Sequence, residues 1–250
     1  SWKIGRFAGV DSYVHASFAL LVVWAAWAAF QGAGSVLAAL LGIVFLAGIF
    51  GSVLLHELGH AIAARRYGIA TRRIVLLPIG GIAQLEGEPK NPKQELVIAL
   101  AGPAVNFAIA AGLFVVTSIF GLSGGFGLLG SLMVANLSLG LFNLVPAFPM
   151  DGGRALRAAL ATRLGARRAT DVAVSVAKVA AVAFGIIGLF TTWTLTLIAV
   201  FVWFAANADW WAWQRGATER PGSSRARSTS RPSDIWRTAP RRVVIFFHRR

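Results

Sequence analysis

The chain has no cysteine among its 250 residues. That excludes a disulfide, a thiolate metal site and a cysteine nucleophile. Any metal must be held by nitrogen and oxygen. Charge is scarce too: 14% of residues are charged and 56% are apolar, against about 45–50% apolar in a soluble globular protein. Acidic residues are the rarer sign, with 24 Lys and Arg to 10 Asp and Glu and a net charge of +14. No glutamate lies between Glu95 and Glu219. Nucleic-acid binding is the reflex reading of a basic chain, but the distribution argues against it. Ten basic residues follow Trp213, in a tail whose only acids are Glu219 and Asp234, and most of the other fourteen fall between apolar runs.

What is present is apolar sequence in long runs. Several approach or exceed the roughly 18 residues that suggest a membrane span. They recur to the end of the chain, so the first is not read as a signal peptide. The first residue is Ser1, as in a processed N-terminus or a fragment. Six spans are read, at about 13–30, 35–64, 94–120, 126–147, 171–190 and 193–213, which predicts an all-α polytopic membrane protein. The second has room for about 45 Å of helix, so it is long or tilted. Lys and Arg mark the cytoplasmic side. Lys3 and Arg6 precede the first span; Arg65, Arg66, Arg72, Arg73, Lys90 and Lys93 separate the second and third. Arg154, Arg157, Arg163, Arg167 and Arg168 separate the fourth and fifth, and the Arg-rich tail follows the sixth. The connectors near 31–34, 121–125 and 191–192 carry no charge. The alternation predicts a multi-pass protein of the cell membrane with both termini cytoplasmic. Trp2, Trp24, Trp27, Trp193, Trp210, Trp211 and Trp213 suit interfacial belts or simply face lipid.

Residues 69–93 read differently. IVLLPIGGIAQLEGE places aliphatic residues around Gly80 and Gly81, followed by Pro89, Asn91 and Pro92. One or two short strands with a turn are expected, as an ordinary hairpin or as an edge that pairs with an extended peptide. The tail 214–250 is Arg/Ser/Pro-rich and reads as disordered. Anionic lipid headgroups are its expected partner; VVIFF at 243–247 carries no usable signal.

Few ionisable residues fall inside the spans: His56, Glu57, His60, Lys178 and Asp209, with His15 and Asp151 near span ends. Such residues are functional-site hypotheses by default. HELGH at 56–60 puts two imidazoles four residues apart, on one helix face, where they can bind one metal ion. Glu57 points beside the pair, within reach of a metal-bound water. This is the HExxH arrangement of zinc metalloproteases. The alternative is a pair of core histidines hydrogen-bonded to neighbouring helices. Counting back from Arg65, His60 lies about 7 Å and His56 about 13 Å below the cytoplasmic interface. Catalytic zinc takes three protein ligands and a water, so one ligand is missing. Asp151, in NLVPAFPMDGGR at 143–154, is the best candidate. Pro146 and Pro149 cannot continue a helix, and Gly152 and Gly153 permit unusual dihedrals. Irregular backbone at membrane depth must be buried in protein or line a watery cavity. Asp151 could instead cap the helix that follows.

HELGH in one span, NLVPAFPMDGGR after another and AGPAVN at 101–106 together resemble the site-2 protease family, the intramembrane zinc metalloproteases of peptidase family M50. The resemblance covers about residues 1–213, which would form the protease domain. It implies one zinc per chain, held by His56, His60 and Asp151, with Glu57 as general base. It also implies cleavage of a transmembrane protein substrate in or beside its membrane segment, and favours a substrate-holding role for 69–93. Some members carry cystathionine-β-synthase-type or PDZ domains, for which these 250 residues leave no room. Asn143 matches the asparagine ahead of the prolines and could hold substrate backbone. Pro103 is expected to kink the third span, Gly102 to allow close helix packing, and Asn106 to bond a neighbouring helix. His15 reads as interfacial, Lys178 as snorkelling or paired, Asp209 as interfacial. A CAAX-processing type of HExxH protease takes a later glutamate as third ligand, which the glutamate-free stretch disfavours. A metal transporter or a non-catalytic metal-binding protein is the alternative from another class. It should carry polar residues through the whole membrane thickness, whereas the outer halves of these spans are nearly bare.

Overall fold

The computed structural model describes residues 1–78, 80–121, 127–218 and 244–245, with side chains described as far as residue 208. The elements are β1 (Trp2–Phe7), β2 (Val10–Val14), α1 (Phe18–Ala33), α2 (Val36–Arg66), β3 (Thr71–Leu77), β4 (Gly80–Leu85), α3 (Pro92–Ile119), α4 (Leu128–Asn143), α5 (Asp151–Leu164), α6 (Ala166–Phe190), α7 (Trp193–Thr218) and β5 (Val244–Ile245). Two compact units emerge. One holds residues 1–88, 101–141 and β5; the other holds 89–100 and the described residues from 142 to 218.

The first unit carries a sheet of order β1-β2-β3-β4-β5. Neighbours run antiparallel except β2 and β3, which are parallel. β3 and β4 are the two strands expected in 69–93. β1 and β2 were not anticipated, because Lys3, Arg6 and Asp11 interrupt the alternation that marks a strand. Lys3 pairs with Asp11 across them at 2.8 Å, and that hydrogen bond holds the Asp11 carboxyl below its ordinary pKa. The first helix accordingly starts at Phe18, not near 13. Ile74 and Leu76 alternate inward on β3 and pack with Val10, Ala83 and the α2 residues Leu58 and Ala61. The sheet thus lies on the HELGH segment itself. Ser35 caps α2 by accepting from the Ala38 amide at 3.1 Å, and Arg65 and Arg66 end it, where the helix dipole favours cations. Gly42 and Gly48 let α1 and α4 close on α2: a Cβ would stand 2.8 Å from Ala29 Cβ at the first and 2.7 Å from Leu132 Cδ2 at the second.

In the second unit Asn91 caps α3, accepting from the Gln94 amide, while Gln94 Oε1 accepts from the Lys90 amide, both at 2.9 Å. This reciprocal cap, with Pro92 in the first turn, starts the helix. α3 then runs unbroken through Pro103. Residues 144–150 are irregular, and their Ala147, Phe148 and Met150 pack with α6 and α7. α6 presents Ala169, Ala173, Ala177 and Ala181, all buried, at four-residue spacing; small residues at that period let helices approach closely. α4 stops at Asn143 rather than continuing to 147, α6 starts five residues earlier than expected, and α5 lies between them.

Three helices, α2, α3 and α6, are long and apolar enough to cross a membrane; α1, α4 and residues 193–208 of α7 are shorter apolar helices. Their outward residues are large and apolar, with Leu20 at 74% exposure and Phe190 at 85%. Such a surface belongs in lipid. The architecture is that of an all-α polytopic membrane protein carrying one small β-sheet.

Candidate metal centre

His56 and His60 lie one turn apart on α2, both buried, with their Nε2 atoms 3.1 Å apart. Two nitrogen ligands of a tetrahedral zinc, each about 2.0–2.1 Å from it, stand roughly 3.3 Å apart. α3 lies against this turn because Gly59 has no side chain; a Cβ there would be 2.8 Å from the Ala101 carbonyl oxygen. Gly102 follows. A Cβ on Gly102 would run into His60 Nε2 and stand 2.6 Å from His56 Nε2. Gly102 was expected to allow close helix packing. Here it also keeps clear the space into which the two ring nitrogens converge.

Behind His56 stands a chain of buried polar groups. His56 Nδ1 lies 2.5 Å from Asn106 Oδ1. Asn106 Nδ2 donates to Asn136 Oδ1 at 3.0 Å, and Asn136 Nδ2 donates to Ser52 Oγ at 3.0 Å and to the Leu132 carbonyl at 2.9 Å. Asn106 therefore does bond a neighbouring helix, through Asn136 on α4. Asn136 and Ser52 lie outside HELGH, AGPAVN and NLVPAFPMDGGR, the motifs from which the other site residues are read. An uncharged amide amid SLMVANLSLG was the available signal.

Asp151 is the first residue of α5, whose N-cap is Met150, and its side chain is buried. Gly152 and Gly153 are ordinary helical residues. They are needed for proximity rather than for unusual dihedrals: a Cβ on Gly152 would collide with the Leu144 and Val145 carbonyls, and one on Gly153 would stand 2.6 Å from Ala147 C. The irregular segment thus folds tightly under the start of α5. Arg154 Nη1 stands 4.0 Å from Asp151 Oδ1. The ligand-capable atoms of His56, His60 and Asp151 lie within 4.8 Å of one another, the one such group among the described residues. Two imidazoles and a carboxylate are a donor set for catalytic zinc, leaving a fourth position open. With the space that Gly102 preserves, the three residues fit one Zn2+ per chain.

Glu57 is half-buried, and β4 passes beside it: a Cβ on Gly81 would stand 3.0 Å from Glu57 Oε1. Asn143 ends α4, half-buried. His15 is exposed and its Nδ1 lies 2.7 Å from Ser17 Oγ. Lys178 sits 5.7 Å over the Trp203 ring, a cation–π contact. The side chains of Asp209, Trp210, Trp211 and Trp213 lie outside the described residues, as does the tail beyond Thr218 apart from β5.

Comparison with known proteins agrees with this geometry. The model of peptidase family M50 matches residues 44–124 and 121–186. A zinc metalloprotease of Methanocaldococcus jannaschii is 38% identical over 211 residues, covering 84% of this chain and 60% of its own; the chain thus spans about three fifths of that relative. Stage IV sporulation protein FB of Bacillus subtilis is 32% identical over 105 residues, 42% of this chain and 36% of its own. The solved structure of a site-2 protease from Methanocaldococcus jannaschii superposes with a TM-score of 0.59 at 38% identity, covering 82% of this chain and 93% of that one. The family match takes in more than half of the residues, both histidines and Asp151 among them, and the chain belongs to peptidase family M50.

Proposed function

We propose that the protein is an intramembrane zinc metalloprotease that hydrolyses a peptide bond in or next to a transmembrane segment of a membrane-protein substrate. The observation that carries this reading is the buried His56–His60–Asp151 group with Glu57 beside it. His56, His60 and Asp151 hold the metal. A zinc ion held there would supply the acidification of a bound water toward neutrality and the polarisation of the scissile carbonyl. Glu57 takes the proton from the attacking water and delivers it to the departing amine. Asn143 offers an amide N–H to the oxyanion.

A helical substrate hides its carbonyls in hydrogen bonds, so it must be drawn out. The β4 edge serves this purpose by strand addition. Its inner side pairs with β3 along Gly80–Leu85, and β5 meets the other side at Gln84 and Leu85. Gly81, whose missing side chain admits the Glu57 carboxylate, brings that edge to the base.

Six spans with both termini cytoplasmic, in the cell membrane, fit the alternation of Arg-rich and uncharged connectors. The basic tail binds anionic headgroups. Glu57→Gln keeps the metal donors, so the purified variant should bind zinc but release no product from a model transmembrane substrate. Cleavage retained by that variant sinks the assignment. Zinc transit across vesicles without any cleavage would favour the transporter reading.

A further inference from the structure

We propose that Ser52, Asn136 and Asn106 form a one-way hydrogen-bond relay that holds His56 in its Nδ1–H tautomer, so that two amides which never touch the metal set the zinc affinity of the site. The inference rests on the metal reading above. All four residues are buried, with Asn106 and Asn136 fully enclosed.

The direction of the relay follows from its far end. Backbone carbonyls only accept. The Leu132 carbonyl lies 2.9 Å from one end of the Asn136 amide, so that end must be the NH2 group. The same Nδ2 donates to Ser52 Oγ, whose own hydrogen goes to the Gly48 carbonyl at 2.9 Å. Asn136 therefore turns its oxygen to Asn106. Asn106 must meet that oxygen with Nδ2, which turns its own oxygen to His56. An oxygen facing Nδ1 at 2.5 Å requires the imidazole hydrogen there. A neutral imidazole has one such hydrogen, so Nε2 keeps its lone pair, directed to where His60 Nε2 converges.

Reversing Asn106 would set its oxygen against the Asn136 oxygen, two acceptors with no hydrogen between them in a water-poor interior. The two helices α3 and α4 thus choose the tautomer before any metal arrives. Asn106 and Asn136 are positioning residues. An orienting partner on the far nitrogen also makes a histidine a more basic ligand.

The test is zinc affinity of the purified full chain in detergent, read by competition with a chromophoric chelator, so that no proteolysis is needed. Asn106→Leu should weaken zinc by about 10–100-fold and Asn136→Leu by about tenfold. Asn106→Asp should bind zinc nearly as the parent does, because either carboxylate oxygen accepts from His56 and no amide needs orienting. The decisive measurement is Asn136→Leu made on the Asn106→Asp background, where its cost should shrink to within about twofold of none. An equal loss from Asn136→Leu in both backgrounds would mean that Asn136 only fills space, and the relay is then wrong. Unchanged zinc affinity in Asn106→Leu overturns it as well. A parent protein that binds no zinc overturns the metal reading itself, and the relay with it.

Discussion

At the scale of single residues, the centre depends as much on what is missing as on its ligands. Gly102 borders the space between two ring nitrogens, and Gly81 faces the carboxylate of Glu57. Replacing Gly102 by Ala improves helix propensity by up to about 1 kcal/mol yet drives a methyl into both Nε2 atoms. Gly102→Ala should therefore lose zinc affinity by on the order of 100-fold while the helical circular dichroism is retained. Full zinc occupancy in that variant would show that the metal sits elsewhere. Gly81→Val should leave zinc bound and cut the cleavage rate, because the added branch displaces the base; a loss on the order of 100-fold fits a misplacement of about 1 Å. HELGH was legible as costly polar groups inside an apolar run, Asp151 as a carboxylate in irregular backbone at a span end, and Asn106 by its place in AGPAVN. Gly81 and Asn136 were not: a glycine in a turn and one more amide are ordinary letters until their neighbours are known.

At the scale of elements, Asp151 is delivered by a helix start, and that start is held from below. The second unit carries an ion pair between the buried Glu95, in the first turn of α3, and the half-buried Arg157, one turn and a half into α5. Removing one partner strands a buried charge, so Arg157→Met should destabilise the protein by about 3 kcal/mol. Removing both, in Glu95→Leu with Arg157→Met, should recover most of that loss. Thermal unfolding in micelles measures both, and a neutral Arg157→Met would mean the pair does not hold α5 to α3. The pair was not readable in advance, since Glu95 and Arg157 are 62 positions apart. The same holds for β1 and β2. β1 pairs with β2, and β2 with β3 some 60 residues away, a non-local fact that periodicity does not contain.

At the scale of the whole molecule, the absence of cysteine is an experimental opening. A single cysteine placed at Ser223 or at Ser35 is the only thiol in its variant. With six spans and cytoplasmic termini, the first should react with a membrane-impermeant maleimide only in inverted vesicles, and the second only in intact cells. Labelling of both from one side would refute the six-span topology. The sequence by itself determined that the chain lives in a membrane, because its apolar runs leave no other solvent for them. It determined that the two histidines of HExxH share one helix face, since helix geometry converts spacing along the chain directly into position. It also singled out Asp151 as a carboxylate that irregular backbone could carry inward. Only the tertiary structure decided that this carboxylate lies within 4.8 Å of the two histidines, that a strand edge lies against Glu57, and that Asn106, itself bonded to Asn136, faces His56. Those are distances between segments far apart in the chain, and they are set by packing of small residues at helix crossings, which local sequence does not encode.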